Sequence, residues 1–247
     1  ISPSIAGVHL VFIEEPEAHL HPQMQNVFIH QLEDISNLFS KNYYNEKLWP
    51  VQFIVTTHSS HIANEASFDS MRYFFAQPFA EAPGILATEV KDLQSGLSSE
   101  LAENREFLHK YMTLTRCDLL FADRAVLIEG QAERLLLPKM IEKVDEGQPD
   151  GLKLSSQYLS VVEVGGAYTH IFFNLIDFLN LRTLIITDLD TVDSGNNGKK
   201  CKVSEGTHSC NASINHWFSK VEGAKPTKDE LLVKGEAVKI TKTRRLA

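Results

Sequence analysis

Runs of apolar residues, broken by short polar and glycine-rich stretches, divide this chain into predicted strands and helices. Val8–Ile13 (VHLVFI) is apolar without strict alternation, which predicts a strand buried on both faces. Pro22–Phe39 sets Val27, Phe28, Leu32, Ile35, Leu38 and Phe39 near helical spacing, with Pro22 suited to the first turn. A polar, aromatic-rich loop over 41–50 then leads into the strand Val51–Thr56. Residues 67–90 predict a terminal hairpin of the same sheet, built from Met71–Phe75 and Ile85–Val90 and turned at Pro83-Gly84. Small residues over 94–99 mark a break, and a helix is expected from Glu100 to Leu120.

From Phe121 onward strands and helices alternate. Ala125–Ile128, Leu159–Val164 and Thr183–Thr187 read as strands, separated by helices Ala132–Val144 and Tyr168–Leu179. Pro138 is expected to kink or break the first of these helices. Units of this length call for a parallel sheet with right-handed crossovers. Ser194–Lys200 reads as a flexible loop and Asn211–Phe218 as a short helix, while the end KITKTRRLA shows no closing element. Gly165-Gly166 reads most simply as a tight turn, and otherwise as a place where backbone approaches a phosphate or metal.

Two of the strands end abruptly in carboxylates. Val126–Ile128 runs into Glu129, Gly130 lets the chain turn, and Glu133 follows one helical turn later. Leu184–Thr187 runs into Asp188 and Asp190, on the same side of an extended backbone. Ligands of open α/β sheets bind beyond the carboxyl ends of the strands, so adjacent strands here would gather Glu129, Glu133, Asp188 and Asp190. So many carboxylates repel one another unless a cation neutralises them, and oxygen-only ligation favours Mg²⁺, Mn²⁺ or Ca²⁺. Either segment alone would be ordinary loop chemistry. Upstream, one strand ends in Glu14-Glu15-Pro16 and the next in Thr57-His58-Ser59.

These motifs resemble two known families. Glu129-Gly130-x-x-Glu133, the Gly165-Gly166 turn and Asp188-x-Asp190 resemble a Toprim domain, over about half the chain. Glu14-Glu15-Pro16 followed by Thr57-His58-Ser59 resembles the Walker B, D-loop and H-loop of ABC-type ATPases, with Glu14 where Asp is usual. In that order the halves resemble the overcoming-lysogenisation-defect (OLD) family of ATP-dependent nucleases, whose relatives include phage-defence endonucleases. The implied fold class is α/β. Residues 1–95 are expected to form the C-terminal part of an ABC-type ATPase sheet, 96–120 a linking helix, and 121–247 a Toprim domain with a central, mainly parallel sheet.

The resemblance implies a DNA endonuclease regulated by the attached ATPase, acting in phage defence or DNA processing. Two cations about 4 Å apart would clamp the scissile phosphate. Glu129, Asp188 and Asp190 are the first candidate ligands, followed by Glu133 and then Asp193. Lys199 and Lys200 read as surface lysines, with neutralisation of the transition state as the alternative. On the ATPase side, Glu14 would hold the Mg²⁺ of ATP, Glu15 would orient the attacking water, and His58 would sense the γ-phosphate. DNA is the implied substrate, and a homodimer through the ATPase half the implied assembly. No G-x-x-x-x-G-K-[ST] loop occurs, so a Walker A loop and signature motif are expected upstream, and this chain alone is not expected to hydrolyse ATP. A further metal-site acid and a lysine are expected downstream. The rival reading is an ATP-gated clamp or scaffold whose Toprim domain does not cut. A topoisomerase or primase is disfavoured, since no tyrosine has the context of a strand-transfer nucleophile.

Composition narrows the classes further. The 247 residues are 43% hydrophobic and 23% charged, enough for one large or two small globular domains. The sequence predicts no membrane span and no secretory signal, and Cys117, Cys201 and Cys210 lack disulfide spacing, which fits a reducing cytoplasm. Cys201, His208 and Cys210 lack the paired knuckle and fourth ligand of a zinc site. A net charge of −8 argues against a generally adhesive polyanion binder but not against DNA, because bound cations offset an acidic site. The basic-rich stretch from Lys220 to Arg245 reads equally as a solvated tail or a phosphate-contacting surface.

Overall fold

The computed structural model describes residues 8–43, 50–79, 82, 84–96, 105–114, 118–193, 195, 198–222 and 226–247. The chain divides into two units, one of residues 1–100 with 109–121 and one of 101–108 with 122–247.

In the first unit, β1 (His9–Glu14) is followed by a 3₁₀ turn at Pro16–His19 and by α1 (Pro22–Tyr43). Helix α1 outlasts its expected end, so the first residues of the expected 41–50 loop are helical, while 44–49 lie outside the described residues. Strand β2 (Val51–Thr56) pairs in parallel with β1, in register from His9↔Val51 to Glu14↔Thr56. Side chains alternate across a strand. The continuous apolar run had suggested burial on both faces, but Leu10 and Phe12 are 54% and 71% exposed, and only the side bearing His9, Val11 and Ile13 is half-buried.

Helix α2 (Ser60–Glu65) starts from Ser59, whose hydroxyl accepts from His61 N. Strands β3 (Arg72–Pro78) and β4 (Leu86–Asp92) form the expected hairpin. Among the described residues it is a separate two-stranded sheet and not the end of the β1–β2 sheet. Gly84 takes a left-handed φ of 94° in its turn, and Pro83 lies outside the described residues. Helix α3 (Leu93–Gly96) occupies the start of the expected break. The single helix expected over 100–120 is instead α4 (Arg105–Leu114) and a 3₁₀ turn at Asp118–Leu120, with 101–104 and 115–117 outside the described residues.

The second unit is laid on β5 (Arg124–Ile128), α5 (Gln131–Asp145), β6 (Leu159–Glu163), α6 (Phe173–Leu179) and β7 (Arg182–Ile185). Helix α5 continues through Pro138 without the expected break. Thr169–Phe172, expected as the first turn of α6, is 3₁₀. Strands β8 (Thr191–Asp193), β9 (Lys199–Cys201) and β10 (His208–Ser209) form an antiparallel sheet ordered β10-β8-β9, so the far end of the expected loop 194–200 is strand. Helices α7 (Ala212–Glu222) and α8 (Lys228–Val233) follow.

The sequence end, which showed no closing element, forms β11 (Arg244–Leu246), paired in parallel with β7. The main sheet is therefore parallel throughout, in the order β11-β7-β5-β6. Leu127 and Ile185 at its centre are fully buried, while Val126, Ile128 and Leu137 pack with Ile141, Leu159, Val161 and Leu184. The segment leading into α6 and the helix itself bury Phe172, Leu175 and Ile176. Such a core holds the strand ends in fixed positions, as a site built beyond them requires.

Arg244 anchors β11. Its Nε and a terminal nitrogen bond the two oxygens of Asp177 at 2.9 and 2.8 Å, and its guanidinium lies over the rings of Phe173 and Trp217. Thr243 donates to the same carboxylate. This end of the basic stretch is thus committed to the fold and is not a solvated tail. Arg244→Ala should lower stability by about 2 kcal/mol through loss of the fork and of both ring contacts. That corresponds to a melting temperature about 4–8 °C lower. Arg244→Lys, which keeps charge but not the planar fork, should recover little of it, and full recovery would overturn this account.

Candidate metal centre

The site grows from the register of β5 and β7. Leu127 lies beside Ile185, and Ile186 N donates to Leu127 O at 2.9 Å, so both strands end at one level. Glu129 leaves β5 there, and Thr187 and Asp188 leave β7. One oxygen of Glu129, Oε1, accepts from Asp188 N at 2.9 Å, from Asn211 Nδ2 at 2.7 Å and from the Thr187 hydroxyl. Glu133 lies in the first turn of α5, where its Oε2 accepts from Gly130 N at 2.9 Å.

Asp190 adopts the left-handed backbone with φ 37°, which a short polar side chain tolerates better than most. Its Oδ2 lies 3.2 Å from Lys200 Nζ, so Lys200 on β9 touches a candidate ligand despite its surface exposure. That contact, in the first place, favours the charged form of Lys200. Asp193 instead closes its own turn, with Oδ1 accepting from Gly195 N at 2.8 Å.

Electrostatics tie four of these groups together. Burial, and then the charges of Glu129, Glu133 and Asp190, push the Asp188 carboxyl above the usual carboxylate range. Asp193 does not figure among those charges. The two glycines behave differently. Gly165 supplies the turn, with φ 74°, whereas Gly166 supplies room: a Cβ there would lie 2.6 Å from both oxygens of Glu129. The close approach read as an alternative in the sequence is thus made to the Glu129 carboxylate.

This donor set fits a hard divalent cation. It is all oxygen, it is negative, and one of its carboxyls is disfavoured in the charged form by partial burial and by the others. Among the described residues, however, no three acid, His or Cys side chains already close on one point. Asn211 and Ser213 were not among the residues singled out by sequence. Their only sequence signal is the Ser209-x-Asn211-x-Ser213 spacing ahead of a helix, which reads as capping.

On the first unit, Glu14↔Thr56 register places the ends of β1 and β2 side by side. Glu15 takes the left-handed conformation (φ 42°), uncommon for a long side chain, and its N–H donates to Thr56 O at 2.9 Å. Its carboxylate meets His58 Nε2 at 3.2 Å, on an exposed surface. Glu17, absent from the sequence candidates, accepts from Thr57 Oγ1 at 2.8 Å and from His58 N at 2.6 Å. Burial would raise its carboxyl, but these hydrogen bonds outweigh it and hold the carboxyl low. Glu14 remains exposed at the end of β1.

Residues 120–190 match the family described as overcoming lysogenization defect protein-like, TOPRIM domain. The second unit carries an OLD-like Toprim domain. Residues 4–63 match the AAA ATPase domain, so the mixed α/β fold joins ATPase and Toprim parts. The chain is 35% identical over 198 residues to "Endonuclease GajA" of Bacillus cereus (strain HuB5-5), an overlap of 74% of this chain and 26% of that protein. It is 26% identical to "OLD nuclease" of Thermus scotoductus over 73% of the chain and 30% of the relative. The "Old nuclease" of Escherichia phage P2 is 24% identical, over 73% and 28% respectively. The chain thus spans between a quarter and a third of the length of these relatives. Among the described residues no helix is long and apolar enough to cross a membrane.

Proposed function

We propose that this chain belongs to a metal-dependent DNA endonuclease of the OLD type, governed by an attached ATPase. The observation that carries this is the group of Glu129, Glu133, Asp188 and Asp190 at the carboxyl ends of β5 and β7, where partial burial and then the other three charges disfavour the ionised Asp188. It lies in the OLD-like Toprim domain, and the curated relatives are named as nucleases. Glu129, Asp188 and Asp190 would hold Mg²⁺ first, or Mn²⁺ or Ca²⁺ in its place, with Glu133 and then Asp193 as outer contributors. When bound, a pair of such cations supplies charge neutralisation at the scissile phosphate and activation of the attacking water.

The chain's own residues do the positioning. Thr187, Asp188 N and Asn211 fix Glu129, the Gly130 N–H steadies Glu133, and Lys200 steadies Asp190. In the ATPase part, Glu14 would serve the nucleotide's Mg²⁺, Glu15 the attacking water and His58 the γ-phosphate. The contact between His58 and Glu15 supports their acting as a pair.

The domain division we assign is 1–95, 96–120 and 121–247, with DNA as substrate, homodimerisation through the ATPase half, and action in the cytoplasm in phage defence or DNA processing. The rival is an ATP-gated clamp or scaffold whose Toprim domain does not cut. Incubating the full-length protein with supercoiled plasmid separates the two. Mg²⁺ or Mn²⁺ should produce nicked and linear DNA, and EDTA should stop it. Intact plasmid with either metal, with and without ATP, would establish the scaffold instead.

A further inference from the structure

We infer that Asn211 is a positioning residue that decides which oxygen of Glu129 is offered to the cation, an inference that rests on the metal reading above. Asn211 is 4% exposed and Ser213 is fully buried. The Asn211 amide nitrogen reaches Glu129 Oε1 at 2.7 Å, Thr187 Oγ1 at 2.8 Å and Asp188 O at 3.1 Å. Its Oδ1 accepts from Ser213 N at 2.9 Å and Ile214 N at 3.2 Å, in the first turn of α7. Acceptors on one side and donors on the other fix the amide's orientation.

An N-cap needs only the side-chain oxygen. The nitrogen's bonds are therefore surplus to capping, and they converge on the Glu129 carboxylate. Three donors fill Oε1, namely Asn211 Nδ2, Asp188 N and the Thr187 hydroxyl, which leaves Oε2 as the oxygen turned over to a cation. Ser213 completes the grip from the other side. Its hydroxyl donates to Gly166 O at 2.9 Å, and Gly166 is the residue whose missing Cβ leaves room for both Glu129 oxygens. The first turn of α7 thus holds the carboxylate directly and through the glycine turn. Partners of this kind orient metal ligands, and their loss typically costs about 10–100-fold in metal affinity or activity.

The test is Mn²⁺ affinity of the full-length protein, followed by the electron paramagnetic resonance of free Mn²⁺, beside the melting temperature. Asn211→Ser keeps a capping oxygen and removes the amide nitrogen. It should raise the Kd for Mn²⁺ about tenfold or more while shifting the melting temperature by only a few degrees. Thr187→Val removes the hydroxyl of the same triangle and should move the Kd in the same direction. It decides the matter if Asn211→Ser fails to fold. Asp188→Ala is the reference arm. If Asp188→Ala loses Mn²⁺ while the Asn211 and Thr187 variants bind as wild type does, the positioning role is overturned and the metal reading stands. If Asp188→Ala itself binds Mn²⁺ like wild type, the metal reading falls and takes the inference with it.

Discussion

Asp188→Ala should reduce plasmid nicking by at least 10²–10³-fold, or roughly 3–4 kcal/mol of transition-state stabilisation, while leaving the fold intact. Asp188 is exposed beyond the end of β7, so truncation opens no cavity in the core. What it removes is a charged oxygen beside the other carboxylates. Although Asp188 is largely open to solvent, the partial desolvation of its carboxyl and the charges of Glu129, Glu133 and Asp190 raise it. A carboxyl raised on folding contributes stability below its unfolded pKa, and loses that contribution as pH rises through the folded value. Near neutral pH the metal-free wild type therefore carries a repulsion that the variant lacks. The variant should melt no lower than wild type in EDTA, and added Mg²⁺ should raise the wild type's melting temperature more than the variant's. Loss of a negative charge also leaves the attraction for DNA phosphate no weaker. A variant that nicks near the wild-type rate would mean that Asp188-x-Asp190 is structural.

Much of this site was legible because its carboxylates follow directly on apolar strands. Glu129 and Asp188 each follow a short apolar run of the kind that forms a buried strand, and parallel pairing then brings the strand ends level. What was not legible depends on partners remote in the chain. Asn211 is 82 residues from Glu129, and a lone Asn before a helix reads as a cap and nothing else. Arg244–Leu246 contains too little apolar sequence to declare a strand, and it becomes one because β7 offers an edge and Asp177 holds its arginine. Val8–Ile13 fails in the opposite sense. Its composition fits burial on both faces, yet composition cannot show which face the described neighbours cover.

The glycine turn gives the second large effect. Gly166→Ala should lower cleavage about 10²-fold, about 2.7 kcal/mol, and shift the Mg²⁺ requirement upward, with a much smaller effect on melting temperature. The new methyl would sit 2.6 Å from both oxygens of Glu129 and 2.7 Å from its carboxyl carbon, well inside van der Waals contact. A free glutamate would swing aside at little cost. This one is tied through Oε1 to Asn211, Thr187 and Asp188 N, so moving it breaks hydrogen bonds to a charged group and turns the carboxylate out of its place in the site. The neighbouring glycine is the control. Gly165 has φ 74° and nothing within 4 Å of a Cβ, so Gly165→Ala should cost about 1–2 kcal/mol of folding strain without displacing Glu129. The two variants should thus separate: one loses activity and Mg²⁺ response, the other loses stability and keeps its Mg²⁺ response. If Gly166→Ala nicked plasmid at the wild-type rate and at the wild-type Mg²⁺ concentration, the Glu129 carboxylate would not need its present position, and its place among the ligands would be lost.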